Sequence, residues 1–498
     1  MQLFMSIIKF KSSNNNQYVY SKTNRSFINI PNLFSEIIDL LEVGKSENEI
    51  TNLLSDKNKA NEIKYYFGFY KFLKENGFLE NIPNKLKGRY SPEYLQYNLS
   101  NINQVIFEVT DNCNLSCEYC GYGKYYDNFD NRTKKSIDFK FATNLIDFLL
   151  DYINSDQNTS ANKPIAFSFY GGEPLLNIDL VKKIVSYINS KELKHNLPQF
   201  SLTTNALLLR KHIDFLVEND FSILISLDGN YENSSYRVYH NNKNAFPEIY
   251  ENILFVKDNY PDYFEKVRFN AVLHNRNSVE EIFDFFKKHF NKTPQVSELH
   301  SAGVKESMLD DFWKCYKNTV KDVQSSERYK EINKEMFIEM PEIKASSDLI
   351  FNYTDFVFNN YSDFLNKKEI NIIPTGTCEP FSRRIFLTVN GKILPCEKVG
   401  QNFLLGRVNS DSVEIDFTSV SNKFNKMLDS ISEKQCSNCL KNNVCNKCML
   451  QMRMENNEFV CDSFTSVEKL KVDLSKRVSF LEGNKEFYNR IIENVNIK

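Results

Sequence analysis

The 498-residue sequence predicts a mixed α/β protein built on a partial (β/α)6 barrel, with a winged-helix-like unit before it and a cysteine-rich unit after it. Apolar, β-rich runs alternate with helical patterns from Gln104 to His300. Two short extended runs followed by three amphipathic helical patterns precede the barrel, and beyond Thr375 the pattern changes to hairpins that carry most of the cysteines. The length suits about three domains at roughly 150 residues each.

The first unit spans residues 1–82. Its extended runs, Gln17–Ser21 and Ser26–Ile30, flank the turn Lys22-Thr23-Asn24-Arg25. Leu33, Ile37, Ile38 and Leu41 form one helical stripe, and Ile50, Leu53 and Leu54 follow a Ser46-x-x-Glu49 capping box. Ile63, Tyr66, Phe67, Tyr70 and Leu73 form a third, stopped at Gly77. This order also suits DNA binding, but Glu62 and Glu75 interrupt Lys64, Lys71 and Lys74 on the third helix, leaving no strong basic face. Residues 83–103, with little apolar periodicity, are expected to be a linker.

Within the barrel, strands are expected at Val105–Val109, Ile165–Tyr170, Phe200–Thr203, Ile223–Leu227, Val267–Leu273 and Val296–Leu299. Helical stretches such as Phe141, Leu145, Phe148, Leu149 and Tyr152 separate them. Right-handed crossovers then give a parallel sheet with its chemistry at the strand C-termini. Residues 301–370 read as a helical bridge, 371–470 as the cysteine-rich domain and 471–498 as a helical tail. Ile385–Val389, Asn390-Gly391 and Lys392–Leu394 read as a hairpin.

Composition narrows the function. Sixty-two basic against sixty-four acidic residues give a net charge of -2, so no global field favours nucleic acid. No apolar run approaches the roughly 20 residues of a membrane span, and the N-terminus lacks the features of a signal peptide, so the expected location is cytoplasmic. In a reducing compartment clustered cysteines mean metal binding or catalysis.

Ten of the eleven cysteines fall into two groups: Cys113, Cys117 and Cys120 in CNLSCEYC, and Cys378, Cys396, Cys436, Cys439, Cys445, Cys448 and Cys461 in the last quarter. A four-iron cluster usually takes four thiolates, so three in one loop leave an iron open for chemistry. The distal seven can complete one cluster and leave three ligands for another, or hold zinc in tetrahedral sets. The remaining thiol, Cys315, sits beside Trp313 and Tyr316 and reads as a packed core residue.

C-x-x-x-C-x-x-C after a strand, with Tyr119 before the third cysteine, resembles the signature of the radical S-adenosylmethionine enzymes. The resemblance spans 104–300 and implies a 4Fe-4S cluster on Cys113, Cys117 and Cys120 whose fourth iron chelates S-adenosyl-L-methionine. Gly171-Gly172-Glu173-Pro174 matches the family's GGE motif, with Glu173 accepting from the cofactor's ammonium group. Thr204-Asn205 and Ser226-Leu227-Asp228-Gly229 resemble family segments near the nucleoside. Ser226 is the candidate ribose contact and Arg237 the candidate carboxylate contact, while Asp228 equally suits organising the turn.

The distal cysteines resemble the SPASM domain of peptide-modifying radical enzymes, with Cys445-x-x-Cys448 one residue shorter than usual. The resemblance implies two auxiliary 4Fe-4S clusters, one on Cys436, Cys439, Cys445 and Cys461 and one on Cys378, Cys396 and Cys448. Residues 371–377 contain no thiol to fill the latter, which implies an open iron able to bind a substrate thiolate. A zinc ribbon is the alternative. The N-terminal unit resembles PqqD-like leader-recognition domains, in which a precursor leader adds a strand to the hairpin edge and packs on a helix.

The implied activity is a radical peptide maturase that docks the leader of a ribosomally made precursor and cross-links its core, with a thioether as the first expectation. A carbon-carbon or ether cross-link, a sulfatase-type formylglycine maturase and an inactive peptide-binding scaffold are the alternatives. The implied partners are the precursor's leader and core and a low-potential electron donor such as flavodoxin or ferredoxin, with neither nucleic acid nor membrane.

Overall fold

The computed structural model describes residues 7–22, 24–54, 60–79, 89–127, 129–160, 162–301, 303–354, 378–401, 403–432, 434–445, 447–455 and 458–495. The N-terminal unit opens with an antiparallel sheet of β1 (Ile7–Lys11), β2 (Gln17–Ser21) and β3 (Ser26–Ile30), followed by α1 (Asn32–Glu42), α2 (Glu47–Leu54) and α3 (Ala60–Glu75). The capping box forms at α2, where the Ser46 N–H donates to Glu49 at 2.8 Å and the Glu49 N–H to Ser46 Oγ at 3.3 Å. Gly77, at φ +71°, ends α3. The first strand, β1, is missing from the sequence reading.

Alternation along the strands gives this sheet two apolar faces. Ile7, Val19 and Ile30 join Phe34, Ile37, Ile38, Ile50 and Ile63 under the helices. Ile8, Phe10 and Tyr20 face the other way, onto Leu349, Tyr353, Leu470 and Leu474 from the C-terminal half. The small unit is therefore packed onto the rest of the molecule.

Residues 92–100 correct the expected linker. They form α4 (Pro92–Ser100), with Ser91 Oγ capping the Tyr94 N–H, and bury Leu95 and Leu99 in the main core. The apolar positions are too few for the period to show, and tertiary packing supplies the stability.

The barrel strands are β4 (Gln104–Thr110), β5 (Lys163–Gly171), β6 (Asn196–Thr204), β7 (Ser222–Ser226), β8 (Arg268–Leu273) and β9 (Gln295–Glu298), paired in parallel in that order. The intervening helices are α5 (Phe139–Ile153), α6 (Ile178–Asn189), α7 (Leu209–Glu218), α8 (Phe246–Asn259) and α9 (Val279–Phe290). Phe107, Phe169, Leu202, Ile225 and Ala271 pack under them. The opposite sheet face carries polar pairs beside an apolar cluster of Ile106, Phe386 and Leu394: Gln104 donates to Ser168 at 2.7 Å, Ser168 and Ser201 share a 2.6 Å hydrogen bond, and Ser297 donates to Asn270 at 2.6 Å.

Four helices, α10 (Leu309–Cys315), α11 (Thr319–Gln324), α12 (Tyr329–Met336) and α13 (Pro341–Asn352), follow the barrel, and residues 355–370 of the expected bridge lie outside the described residues. Beyond it, β10 (Arg384–Leu387), β11 (Lys392–Leu394), β12 (Gly406–Val408) and β13 (Val413–Glu414) do not form a separate sheet. β10 pairs in parallel with β4, making one ten-stranded sheet. The chain closes with α14 (Phe417–Ser432), the hairpin β14 (Arg453–Glu455) and β15 (Glu458–Val460), and helices α15 (Val467–Gly483) and α16 (Lys485–Asn494). Among the described residues, no helix is long and apolar enough to cross a membrane.

Candidate active site

The CNLSCEYC loop leaves the C-terminal end of β4 and is held at its base by Asp111, whose carboxylate accepts from the Thr133 and Lys135 N–H groups at 2.7 and 2.6 Å. The Ser116 N–H donates to the Val238 carbonyl at 2.7 Å, and His240 Nε2 lies 2.9 Å from the Cys113 carbonyl. The loop thus bridges the β4 end and the loop after β7. Burial pushes the Cys113 thiol up to about 11 and that of Cys117 to about 12, with Arg237 opposing the shift at Cys117. Thiols this desolvated ionise only beside positive charge, which suits a thiolate set closing on iron. Arg132 donates to Cys120 Sγ at 3.4 Å and lies over the Tyr122 ring.

The two glycines of the GGEP segment let strand end and cysteine loop interpenetrate. The Gly172 N–H donates to the Thr110 carbonyl at 2.7 Å and the Glu173 N–H to that of Asn112 at 2.9 Å. A Cβ at Gly171, where φ is +128°, would meet the Thr110 oxygen at 2.3 Å; one at Gly172 would meet the Asn112 oxygen at 2.0 Å.

Glu173, the expected ammonium contact, is tied into the fold. It is 1% exposed, and its carboxylate accepts from Thr204 Oγ1 at 2.8 Å and from the Asn205 and Leu175 N–H groups at 2.7 and 3.1 Å. It is a strut joining the ends of β5 and β6, and burial raises its carboxyl to about 7. Asn205, beside it, donates to Asn114 Oδ1 at 2.8 Å and reaches Cys113 Sγ at 3.7 Å.

Arg237 is likewise committed elsewhere. Its guanidinium donates to both oxygens of Asp228 at 3.0 and 2.8 Å, with both side chains buried. The Val272 N–H donates to Asp228 at 2.9 Å, Tyr119 OH donates to it, and His274 stacks on the Tyr119 ring with centroids 5.6 Å apart. Burial alone would raise the Asp228 carboxyl; the adjoining Arg237 outweighs it and holds the group well below the usual range. Asp228 therefore locks the cysteine loop, through Tyr119, to β8. This network was legible only as the side chains SLDG and Arg237; nothing in the spacing says that they meet. Ser226 ends β7 on the partly open side of the sheet, beside Asn270 of β8.

The distal cysteines separate spatially. Cys436, Cys439, Cys445 and Cys461 line a cavity of about 70 Å³ that opens to solvent, together with Lys441, Asn442, Lys447, Asp348, Tyr353 and Arg477. Cys396 lies within electrostatic reach of Cys448. Cys378 begins a described segment, and residues 371–377, expected to contribute no thiol, lie outside the described residues. Among the described residues, no three His, Cys, Asp or Glu side chains converge closely enough to hold a single metal ion. Four cysteines around a cavity, rather than at one point, fit a larger group such as a four-iron cluster. Cys315 is buried among Tyr125, Tyr236 and Phe312.

Residues 107–288 match the radical SAM superfamily model. The cysteine-type anaerobic sulfatase-maturating enzyme of Clostridium novyi is 30% identical over 197 residues, 38% of this chain and 49% of that protein. The radical SAM cyclopropyl synthase TigE of Paramaledivibacter caminithermalis is 21% identical over 317 residues, 61% of this chain and 63% of that protein. The chain thus spans about half to two thirds of the length of these curated relatives. The solved structure of native anSMEcpe with bound AdoMet superposes with a TM-score of 0.51 at 18% identity, covering 79% of this chain and 99% of that one, a likeness of fold.

Proposed function

We infer that this chain, whose residues 107–288 form a radical SAM domain, is a peptide-modifying enzyme that captures a precursor through its N-terminal unit and modifies it at the barrel mouth. The carrying observation is the three-cysteine loop fastened by two backbone hydrogen bonds to the Gly171-Gly172-Glu173 strand end, above the sheet face that carries the polar pairs. When bound, a 4Fe-4S cluster with S-adenosyl-L-methionine supplies a 5'-deoxyadenosyl radical. Cys113, Cys117 and Cys120 would hold the cluster, the backbone at Gly171 and Gly172 would receive the cofactor's amino group, and Ser226 would contact its ribose. Glu173 and Asp228 act as positioning residues: one fixes the β5 and β6 ends, the other fixes Tyr119 and the loop. Cys436, Cys439, Cys445 and Cys461 would hold one auxiliary cluster and Cys378, Cys396 and Cys448 the other.

Peptide capture is assigned to the β3 edge and α3. β1 is covered by α15, where Ser475 donates to the Lys11 carbonyl at 2.5 Å, whereas β3 is the sheet's other edge. On α3 Tyr65 and Phe72 are 65% and 57% exposed, aligned through Phe69 with stacked rings. An exposed aromatic row suits apolar side chains of a bound peptide, and a strand edge suits its backbone.

A thioether cross-link is the first product expected, because an open auxiliary iron can bind a substrate thiolate. Formylglycine formation is the second reading, favoured by the sulfatase-maturating relative. The test is Cys117→Ala: it abolishes 5'-deoxyadenosine production after dithionite reduction, and undiminished production would sink the reading. Product mass after iodoacetamide labelling separates the chemistries: both cross-links remove two hydrogens, but a thioether consumes a free thiol whereas a carbon-carbon link leaves the cysteines alkylatable, and formylglycine made from cysteine loses the sulfur.

A further inference from the structure

We propose that Lys22, carried by the N-terminal unit, sets the reduction potential of the group held by Cys436, Cys439, Cys445 and Cys461. This rests on the auxiliary-cluster reading given above.

The ammonium of Lys22 stands behind the cavity wall, donating to Asn442 Oδ1 at 2.9 Å. Asn442 in turn belongs to the cysteine loop: its side chain donates to the Cys436 carbonyl at 3.2 Å and its N–H to that of Cys439 at 3.3 Å. Lys22 is half-buried and within electrostatic reach of Cys439. Of the three cations that line the cavity, Lys441 is compensated by Asp473 at 2.7 Å and Arg477 by Asp348 at 2.6 Å and Asp473 at 3.1 Å, while Lys447 lies on the lining itself. Among the described residues no carboxylate forms an ion pair with Lys22. Its position is fixed, because Tyr20 OH donates to the Tyr353 carbonyl at 3.2 Å on one side and Arg25 to the Asn352 carbonyl at 2.9 Å on the other. A held, partly desolvated cation beside a thiolate-bound cluster favours the more negative, reduced form, and so raises the potential. The unit assigned to peptide capture thereby contributes a charge to the distal redox site.

The experiment uses the full chain with Cys113, Cys117 and Cys120 changed to alanine, reconstituted anaerobically, so that only auxiliary clusters give signals in an EPR-monitored redox titration. Lys22→Gln, which keeps a donor for Asn442, shifts one midpoint to a more negative potential, while Lys22→Arg leaves it in place. Lys9→Met, on the same sheet but paired with Asp39, shifts neither. If Lys22→Gln loses iron, Lys22→Met is titrated in its place. Unchanged midpoints with intact signals in the neutral variants, or equal shifts in Lys22→Gln and Lys22→Arg, overturn the proposal alone. Absence of auxiliary iron and signal in the Lys22-containing parent overturns the cluster reading and this proposal with it.

Discussion

Substituting Gly172 by alanine tests whether interpenetration of the β5 end and the cysteine loop sets the reaction geometry. The new Cβ would sit 2.0 Å from the Asn112 carbonyl oxygen and 2.8 Å from that of Asp111, where ordinary contact begins at 3.4 Å. Strand end and loop must therefore part by about 1.4 Å, the difference between 3.4 and 2.0 Å. Two backbone hydrogen bonds are disturbed at about 1 kcal/mol each, and overpacking adds about 1–3 kcal/mol, giving about 3–5 kcal/mol in all. The fold should survive that loss, but a displacement of about 1 Å at a reacting centre costs about a hundredfold in rate. The assay is the rate of 5'-deoxyadenosine formation, with melting temperature and iron content measured on the same sample. Gly121→Ala is the comparison, because its Cβ meets nothing nearer than Phe129 at 3.8 Å. A Gly172→Ala protein that matches Gly121→Ala in rate and melting temperature would refute the reasoning.

Three further outcomes follow from the same geometry. Asp228→Asn leaves the Arg237 guanidinium buried without its counter-charge and should lose about 3–5 kcal/mol by urea denaturation at neutral pH. Because the folded carboxyl lies below its unfolded value of about 3.9, that difference persists above this pH and closes below it; a loss no larger than that of the exposed Lys266→Gln argues against the lock. Glu173 is raised from 4.5 to about 7, so the folded state keeps a proton that the unfolded state releases, and stability should fall by about 3 kcal/mol as pH climbs through that window. Glu173→Gln cannot ionise and should lack this slope; parallel curves for the two proteins would contradict the assignment. Phe72→Asp, at an exposed site, should weaken precursor modification while leaving stability within about 0.5 kcal/mol and uncoupled cofactor cleavage unchanged, as peptide titration and 5'-deoxyadenosine assays would show. Removing the whole N-terminal unit is a poorer test, since it would strip Ile8, Phe10 and Tyr20 from Leu470 and Leu474 and expose that surface.

The sequence by itself determined what is local and periodic. The barrel strands fall within a few residues of their expected places because alternation, β-branched residues and flanking turns act over a handful of positions. The cysteine loop and GGEP are legible at strand ends for the same reason, and the capping box at Ser46 and the stop at Gly77 are purely local. Tertiary structure alone decided which side chains meet. Glu173 and Arg237, legible as polar residues at strand ends, are drawn to Thr204, Asn205 and Asp228 because a buried charge must be paired or hydrogen-bonded, and the partners come from other strands. The α4 helix was hidden because its stability comes from Leu95 and Leu99 against the barrel rather than from its own period. The parallel pairing of β10 with β4 and the seating of Lys22 behind the distal cysteines join segments hundreds of residues apart, a juxtaposition that packing sets and sequence spacing does not encode.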